Sequence, residues 1–340
     1  MAFDLKPLGE RRVVLTGATS GIGLATARRL AVRGAHLILV ARDEAALEDV
    51  ARECVFLGGE AVAVAADVGD YGGLERAAAE AEARYGGFDT WINDAGTAIY
   101  GAVTDVPVED QRRLFETNYW GVVHGSLIAA GHFRHRADGG GGKIVNVGSV
   151  LSDRAMIYQG PYSASKHAVK AITDALRMEL EAAGVPVSVT LIKPSAIDTP
   201  YMEHARNYMD AEGTRNPPPS YDPDVVAKAI EHACEHHHRD LVVGAGGWAV
   251  AAMGSLAPRL TDFLMEASGR VLQTSSDPGR PARRDNLYGS REDGAARSSL
   301  GGPRARRSSL LLEAQMHPAL AGLAMAGLGL ALAGALLRRR

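Results

Sequence analysis

The sequence predicts an α/β fold in which helices cover both faces of a parallel sheet, a doubly wound, three-layer αβα architecture. Short β-branched apolar runs alternate with helical patterns along most of the chain, and this alternation is typical of βαβ units. The first run leads through a glycine-rich turn into a helix. Polar residues follow the ends of later runs, where parallel sheets bind their ligands.

The first strand and its turn predict a nucleotide site. Residues 12–16 form the strand, and the turn Thr16-Gly17-Ala18-Thr19-Ser20-Gly21-Ile22-Gly23 opens a helix that continues to about Arg33. Glycines permit positive φ and close backbone approach, and a helix N-terminus offers free N–H groups and a positive dipole. A tight turn without a ligand is the alternative, but the flanking strand and helix favour a bound dinucleotide.

The end of the second strand predicts which dinucleotide binds. Residues 36–40 form this strand, and Ala41 and Arg42 follow it. An acidic residue here would bind the ribose 2′-hydroxyl of NAD, whereas a nearby arginine accommodates the 2′-phosphate of NADP. Asp43 comes one or two places too late and fits the N-cap of a helix that extends through Leu57. NADP is therefore favoured over NAD. The alternative is that Arg42 is a solvated loop charge.

The alternation continues toward the C-terminus. Further strands are predicted at 61–66, 88–92, 143–147, 187–192 and 240–243, and further helices at 71–85, 108–133, 223–237 and around Tyr162 to 183. The strands end at Asp67, Asn93, Ser149 and Pro194. Because the carboxyl ends of parallel strands share one edge of a sheet, these residues are expected beside the glycine-rich turn. Residues 201–221 predict an irregular lid over the substrate.

Tyr162 and Lys166 form a candidate proton-transfer pair. They are four residues apart, so a helix places them on one face. A neighbouring ammonium favours the phenolate and draws the tyrosine pKa toward neutrality. Such a tyrosine can exchange a proton with a carbonyl or alcohol oxygen. The alternative for this spacing alone is a surface pair.

A metal site is not expected. Cys234 precedes His236, His237 and His238 at a predicted helix end. Three consecutive histidines point in different directions, and a partly solvated helix C-terminus suits them.

Together these motifs resemble the ordinary, non-extended short-chain dehydrogenases/reductases over roughly residues 8–250. The turn from Thr16 to Gly23 is similar to the family's cofactor turn, and Asn93-Asp94-Ala95-Gly96 is similar to its strand-four motif. Ser149 precedes Tyr162 by thirteen residues, as the family's serine does. Three residues depart from the pattern: Asp94 replaces a second asparagine, Gly148 the first of two serines, and Ser195 a glycine after Pro194.

The resemblance implies a Rossmann-type fold and a role for each matching residue. The implied catalytic residues are Asn118, Ser149, Tyr162 and Lys166. The implied cofactor-binding residues are Thr16, Gly17, Ser20, Gly21, Ile22, Gly23, Arg42, Asp67, Val68, Asn93, Ala95, Gly96, Tyr162, Lys166, Pro194, Ile197 and Thr199. Tyr162 would exchange the proton, and Lys166 would lower its pKa and bind the nicotinamide ribose. Ser149 would orient the substrate oxygen, Asn118 would hold a water that relays protons, and Asp67 would contact the adenine.

The predicted function is an NADP-dependent oxidoreductase that transfers a hydride between the nicotinamide and a carbonyl or secondary alcohol. Tyrosines, methionines and prolines in 201–221 favour an apolar substrate, although the same residues would also pack the lid. The family implies a homo-oligomer. The alternative function is a non-catalytic nucleotide-binding sensor or scaffold at a membrane, which would not need Ser149, Tyr162 and Lys166 together. A sugar-nucleotide epimerase is disfavoured by the spacing of the glycine-rich turn and by the small substrate region.

The composition of the whole chain limits the partners and the cellular compartment that are expected. The chain has 340 residues and a formal net charge of −3, so no nucleic-acid partner is expected. Two cysteines cannot form a disulfide framework, and they fit a reducing, cytoplasmic compartment. The first residues contain no apolar segment typical of a secretory signal.

Beyond residue 268 the composition changes. Residues 1–268 are predicted to form the oxidoreductase domain, 269–315 a solvated basic linker rich in Gly, Pro, Ser and Arg, and 316–340 an apolar helix. Residues 318–337 are uncharged, and as a helix they would span about 30 Å, enough to cross a hydrocarbon core. A C-terminal membrane anchor is therefore expected. The alternative is a helix packed on the domain or on a partner.

Overall fold

The computed structural model describes residues 3–136, 140–279, 285–291, 294–301, 304–323 and 326. Its strands are β1 (Arg12–Thr16), β2 (His36–Ala41), β3 (Glu60–Ala65), β4 (Thr90–Asn93), β5 (Ile99–Tyr100), β6 (Gly142–Val147), β7 (Val187–Pro194), β8 (Arg206–Asn207), β9 (Gly213–Thr214), β10 (Asp240–Val243) and β11 (Thr274–Ser275). Its helices are α1 (Gly21–Val32), α2 (Glu44–Phe56), α3 (Tyr71–Tyr85), α4 (Val108–Phe115), α5 (Gly121–His135), α6 (Gly160–Ala182), α7 (Tyr201–His204), α8 (Pro223–Glu235), α9 (Ala245–Leu256), α10 (Pro258–Gln273) and α11 (Leu310–Met316).

Seven strands form one parallel sheet in the order β10-β7-β6-β4-β1-β2-β3. In the centre, Val13 of β1 lies opposite Leu37 of β2 on one side and Thr90 of β4 on the other. The chain winds outward from β1 in both directions, so the strand order reverses between β1 and β4. Such sheets bind ligands at the carboxyl ends of the strands beside this reversal. The predicted doubly wound α/β fold is confirmed.

Helices cover both faces of the sheet, each over its own apolar core. On one face α1, α2 and α8 pack through residues such as Leu30 and Ile230. On the other face α3, α5 and α6 pack through residues such as Leu74 and Leu180. These four side chains are at most 1 % exposed. Every residue of β6, in the middle of the sheet, is buried, as expected for a strand covered on both sides.

Capping residues set several helix boundaries. The Asp43 side chain accepts a hydrogen bond from the Ala46 amide at 2.9 Å, so its predicted role as N-cap of α2 is confirmed. Asp222 caps α8 in the same way and is followed by Pro223 at the first helical position. Helix α3 ends at Gly86, which has a φ of 70° and supplies the left-handed residue that often terminates a helix.

The helix predicted at 108–133 is interrupted by a π-helical turn. Residues Glu116–Trp120 form this turn between α4 and α5. A π turn adds a residue to the helical repeat and occurs often at functional sites. Asn118 lies within it, so the interruption decides where that side chain points.

The segment predicted to be a solvated linker contacts the domain. Helix α10 continues to Gln273, past the predicted boundary at 268. Leu287 is fully buried in a cluster with Ile99 and Leu114, and Ala296 is 8 % exposed. The linker prediction is wrong for these residues because isolated apolar side chains and backbone carbonyls dock there, and neither produces a periodic sequence pattern.

Helix α11 lies in the segment predicted as a linker, ends at Met316, where the apolar helix was predicted to begin, and covers the edge strand β10. The Gln315 side chain accepts a hydrogen bond from the Val242 amide at 3.0 Å and donates one to the Val242 carbonyl at 2.9 Å. Lys228 of α8 donates to Glu313. An amide side chain thus pairs with the strand as another strand would, and protects an edge that could otherwise pair with a second chain.

The predicted membrane anchor falls largely outside the described residues, which within 318–337 comprise 318–323 and 326. Among the helices of the described ranges, none is both long and apolar enough to cross a membrane. The anchor at 318–337 stays a prediction.

Candidate active site

The glycine-rich turn forms a close-packed cradle at the end of β1. Gly17 and Gly21 have φ values of 76° and 55°, which favour glycine. A Cβ atom on Gly17 would lie 2.8 Å from the Ala95 Cα, and one on Gly23 would lie 2.1 Å from the Gly17 carbonyl oxygen. Thr16 Oγ1 accepts hydrogen bonds from the Asp94 and Ala95 amides at 3.1 and 3.3 Å. The Thr16 hydroxyl therefore joins the ends of β1 and β4 beneath the cradle.

Two arginines and one carboxylate meet at the ends of β2 and β3. Arg42 Nη2 donates to the Asn286 carbonyl oxygen at 2.6 Å. Its Nη1 is buried and has no hydrogen-bond partner within the described ranges. Arg113 pairs with Asp67, whose other oxygen accepts from the Gly69 amide at 2.9 Å. Burial alone would raise the pKa of Asp67, but the Gly69 amide and Arg113 hold it below its usual value. One guanidinium nitrogen of Arg42 is thus available to an anion.

Tyr162 and Lys166 lie together in the first turns of α6. Lys166 Nζ donates to the Val147 carbonyl at 2.8 Å and lies 5.8 Å from the centroid of the Tyr162 ring. Burial lowers the pKa of Lys166 to about 8, although Asp94 opposes this shift. Burial raises the pKa of Tyr162 to about 12, against the effect of the neighbouring Tyr201 and Ser149 hydroxyls.

The expectation that Lys166 draws the pKa of Tyr162 toward neutrality does not hold in this structure. The Lys166 ammonium faces a backbone carbonyl rather than the phenol oxygen, and desolvation disfavours the phenolate. Tyr162 is therefore a protonated donor near neutral pH in the free chain.

Ser149 follows β6 and faces the same space. Its hydroxyl accepts from the Leu151 amide at 3.0 Å, and its own amide donates to the Ser152 hydroxyl at 3.2 Å. This reciprocal capping holds the short turn Val150–Ser152 and restricts the rotation of the Ser149 side chain. The hydroxyl is thereby fixed beside Tyr162.

Asn118 is fully buried behind the cleft wall. Its carbonyl accepts from the Thr97 amide at 2.8 Å, and its amide donates to the Thr97 carbonyl at 3.0 Å and to the Ser165 hydroxyl at 3.2 Å. The structure places Asn118 next to the residue that precedes Lys166 on α6. Its contacts in the described chain join the loop after β4, the π turn and α6.

Asn93 lies away from the cleft, contrary to its expected role in cofactor binding. Its carbonyl accepts from the Trp91 indole at 2.8 Å, and its amide donates to Asn146 at 2.8 Å and to Ser126 at 3.2 Å. The side chain is 2 % exposed. It faces α5 because successive side chains of a strand alternate between the two faces of the sheet. Asn93 therefore ties β4 to β6 and α5.

Asp94 stands where the family resemblance would place an asparagine. Desolvation raises the pKa of its carboxyl to about 7, while Lys166 and the Gly23 amide oppose this shift. A Cβ atom on Gly23 would lie 2.9 Å from Asp94 Oδ2, so the carboxyl contacts the underside of the cradle. A group that changes its charge near neutral pH thus lies between the cradle and Lys166.

These elements enclose a cavity of about 440 Å³. The predicted site residues that line it are Gly17, Ser20, Gly21, Ile22, Arg42, Asp67, Val68, Ala95, Gly96, Ser149, Tyr162, Lys166, Pro194, Ile197 and Thr199. The predicted site residues absent from its lining are Thr16, Gly23, Asn93 and Asn118. The structure thus brings most of the predicted residues together in one cleft.

Sequence reasoning missed two parts of the cleft wall. Helix α9 contributes Gly247 and Val250, and the segment after α10 contributes Asn286 and Arg291. The adjacent glycines at the start of α9 could have indicated that this helix packs closely against the cleft, because a Cβ atom on Gly247 would lie 2.6 Å from Ser195 Oγ. The later segment carries no comparable pattern in the sequence.

Sequence comparisons identify relatives over most of the chain. The short chain dehydrogenase family profile matches residues 11–210. The chain is 43% identical over 286 residues to the "Uncharacterized oxidoreductase YxnA" of Bacillus subtilis, covering 84% of this chain and 80% of that one. It is 32% identical over 277 residues to the "Dehydrogenase/reductase SDR family member 7B" of Danio rerio, covering 77% of this chain and 86% of that one.

Solved structures agree with this relationship. A short chain dehydrogenase/reductase from Burkholderia phymatum in complex with NAD superposes with a TM-score of 0.66 at 25% identity, covering 76% of this chain and 96% of that one. An alcohol dehydrogenase from Thermococcus sibiricus complexed with 5-hydroxy-NADP gives a TM-score of 0.59 at 25% identity, covering 68% and 95%. With the parallel sheet, the glycine cradle and the cleft shared by Ser149, Tyr162 and Lys166, these matches show that the chain belongs to the short-chain dehydrogenase/reductase family of oxidoreductases.

Proposed function

We propose that this enzyme is an NADP-dependent oxidoreductase that transfers a hydride between the nicotinamide and an apolar carbonyl or secondary alcohol. The observation that carries the proposal is the convergence of Ser149, Tyr162 and Lys166 in the cavity that also holds the glycine cradle. A protein that only binds a nucleotide has no need of a fixed hydroxyl, a phenol and an ammonium in one place.

Each residue has a role that follows from its chemistry. The bound nicotinamide would supply or accept the hydride. Tyr162 would donate its proton to the developing alkoxide during reduction, and the raised pKa of its phenol keeps that proton in place at neutral pH. Ser149 would donate a hydrogen bond to the substrate oxygen and orient it. Lys166 would bind the nicotinamide ribose, and its ammonium would stabilise the phenolate that remains after Tyr162 has given up its proton.

The residues present suit a dinucleotide with a 2′-phosphate. Gly17 and Gly23 leave backbone room that a Cβ atom would fill, as close approach of a pyrophosphate requires. At the ribose end, the buried Nη1 of Arg42 has no hydrogen-bond partner in the described chain. The carboxylate of Asp67 is engaged by Arg113, so it is less available to a ribose hydroxyl. These features support NADP over NAD.

The wall on the substrate side supports an apolar substrate. Leu151, Met156, Tyr201, Val250 and the prolines at 217–219 line the same cavity as Ser149. Predominantly apolar linings with a few convergent polar groups are typical of small-molecule sites. The polar atoms of such a substrate would then be concentrated at its reacting oxygen.

Consumption of NADPH with a panel of aliphatic, aromatic and steroid ketones tests the proposal. Tyr162→Phe should lower turnover by about two to four orders of magnitude and leave the affinity for NADPH within a factor of about two. The matched control is Tyr71→Phe, which removes a 40 % exposed hydroxyl on α3 and should leave both quantities unchanged. Nucleotide binding with no turnover on any ketone would favour the sensor or scaffold function instead.

We also propose that two copies pair through α5 and α6. Trp120, beside the start of α5, is 43 % exposed, while Leu127 on α5 and Met178 on α6 are 52 % and 56 % exposed. Apolar side chains on adjoining helices suit an isologous interface. Leu127→Glu should lower the molar mass measured by light scattering, whereas Leu310→Glu, at an 86 % exposed position elsewhere, should not.

A further inference from the structure

The chain returns to the cleft after α10. Residues 285–291 and 294–301, named here the strap, cross the carboxyl edge of the sheet beside the cradle. The Asn286 carbonyl accepts from Arg42 at 2.6 Å, its side chain accepts from the Thr97 hydroxyl, and its amide donates to the His204 carbonyl at 2.9 Å. The Leu287 carbonyl accepts from Arg113 at 2.9 Å. The first stretch of the strap is thus held by these four hydrogen bonds.

The second stretch of the strap contacts the cradle itself. The Ala295 carbonyl accepts a hydrogen bond from the Gly21 amide at 2.9 Å. Ala296 is buried against the core formed on α8. Arg297 then pairs with Asp222 at 2.8 Å and with Asp224 at 2.8 Å. An apolar contact and an ion-pair cluster therefore hold the Ala295 carbonyl over the cradle.

These contacts occupy donors that an anionic ligand needs. Gly21 is the first residue of α1, and amides at that position donate to phosphate oxygens. Arg42 is the side chain expected at a 2′-phosphate. Two carbonyl oxygens of the strap accept from these two groups. A single N–H cannot make a full hydrogen bond to the Ala295 carbonyl and to a phosphate oxygen at once, so these two acceptors compete for the Gly21 amide.

We propose that the strap is an intrachain competitor of the dinucleotide, which closes the cofactor site of the free chain and leaves it when the nucleotide binds. This inference rests on the proposed function for the identity of the ligand. Because the strap is part of the chain, it faces the cradle at a high effective concentration. Nucleotide then binds only the fraction of molecules in which the strap is released, and the apparent dissociation constant rises by the inverse of that fraction.

Arg297→Ala and Ala296→Asp each remove a contact that holds the second stretch of the strap, and are expected to favour its release without changing a residue of the cleft. The first removes the ion pairs with Asp222 and Asp224, and the second puts a charge at a position that is 8 % exposed. Neither residue lines the cavity. Arg239→Ala is the control, since Arg239 also forms ion pairs with two aspartates, at 2.7 and 3.6 Å, on a different surface.

Stopped-flow fluorescence with NADPH and with NADH measures the association rate. If the strap is closed in roughly nine molecules of ten, both variants should associate with either nucleotide about tenfold faster than the unmodified chain. Arg239→Ala should be unchanged. A strap that instead clamps the bound nucleotide would make both variants dissociate faster at an unchanged association rate, and that result would overturn the proposal.

Hydrogen exchange of the full chain tests independently whether the strap leaves when the nucleotide binds. The Asn286 amide donates to the His204 carbonyl, which lies outside the strap, so saturating NADPH should speed the exchange of this amide as the strap leaves. Slower exchange at this amide on binding contradicts the proposal. NADPH binding to the unmodified chain without the expected changes in the variants refutes the strap alone. Failure of the unmodified chain and of both variants to bind NADPH refutes the strap and the proposed function together.

Discussion

Replacement of Arg42 by leucine tests whether this side chain binds the 2′-phosphate of NADP, as proposed. The guanidinium is half-buried, donates through Nη2 to the Asn286 carbonyl, and has a buried Nη1 with no partner in the described chain. Burial lowers the pKa of Arg42, with Asp67 opposing that shift. Leucine keeps most of the apolar volume and removes the charge, so the change is directed at electrostatics rather than packing.

The expected magnitude follows from one charge-assisted contact. Hydrogen bonds to charged groups contribute about 1.5–3 kcal/mol, and the lower figure applies because Arg42 is only half-buried. About 1.5 kcal/mol corresponds to roughly a tenfold loss of NADPH affinity. The variant also loses the bond to Asn286, which loosens the strap. That second effect acts equally on NADPH and NADH, so it cancels in the ratio of their dissociation constants.

Titration of both nucleotides by fluorescence or calorimetry measures this ratio. Arg42→Leu should shift it about tenfold toward NADH. Arg239→Leu is the control, because the Arg239 guanidinium pairs with Asp174 and Asp240 on a different surface and its loss should leave both affinities unchanged. A ratio that is the same in Arg42→Leu and the unmodified chain would refute the reasoning and leave Arg42 as a strap contact only.

Two further predictions concern the cradle. Gly23→Ala places a Cβ atom 2.1 Å from the Gly17 carbonyl oxygen. This variant should lower the unfolding free energy by about 1–3 kcal/mol and should also lower the affinity for NADPH. The control is Gly131→Ala, at a helix position where a Cβ atom would have nothing within 4 Å, and it should raise the unfolding free energy by about 0.5–1 kcal/mol. A urea titration in which both variants change the unfolding free energy in the same direction would contradict this prediction. Asp94→Asn removes a charge that raises the pKa values of Tyr162 and Lys166, so the pH profile of turnover should move to lower pH, and an unmoved profile argues against coupling. Because the pKa of Asp94 is raised from 3.8 to about 7, the unmodified chain should lose stability as the pH rises between these two values, and the asparagine variant should lack that loss.

The elements that sequence predicted correctly have local causes. The alternation of apolar runs and helical patterns located β1, β2, β10 and α3 to within a residue or two. Asp43 was assigned as an N-cap because capping depends on residues within one turn. Glycines at 17, 21 and 23 indicated the cradle because only they fit the backbone there.

Other features depended on where distant segments meet. Asn93 lies at the end of a strand, as expected, but the alternation of faces buries it against α5. The pKa of Tyr162 depends on how completely the cleft desolvates it, and burial outweighs the effect of the neighbouring Tyr201 and Ser149 hydroxyls. Neither outcome could be read from the spacing of residues, because spacing on one element does not specify which neighbours pack against it.

The sequence by itself determined the fold class, the family and most of the predicted residues that converge in the cleft, since periodicity, capping and short motifs encode these over a few residues. Only the tertiary structure revealed the π turn that positions Asn118 and the strap that covers the cradle. The strap binds largely through backbone carbonyls such as those of Asn286 and Ala295. Every residue carries a carbonyl, so such contacts leave no trace in composition or pattern.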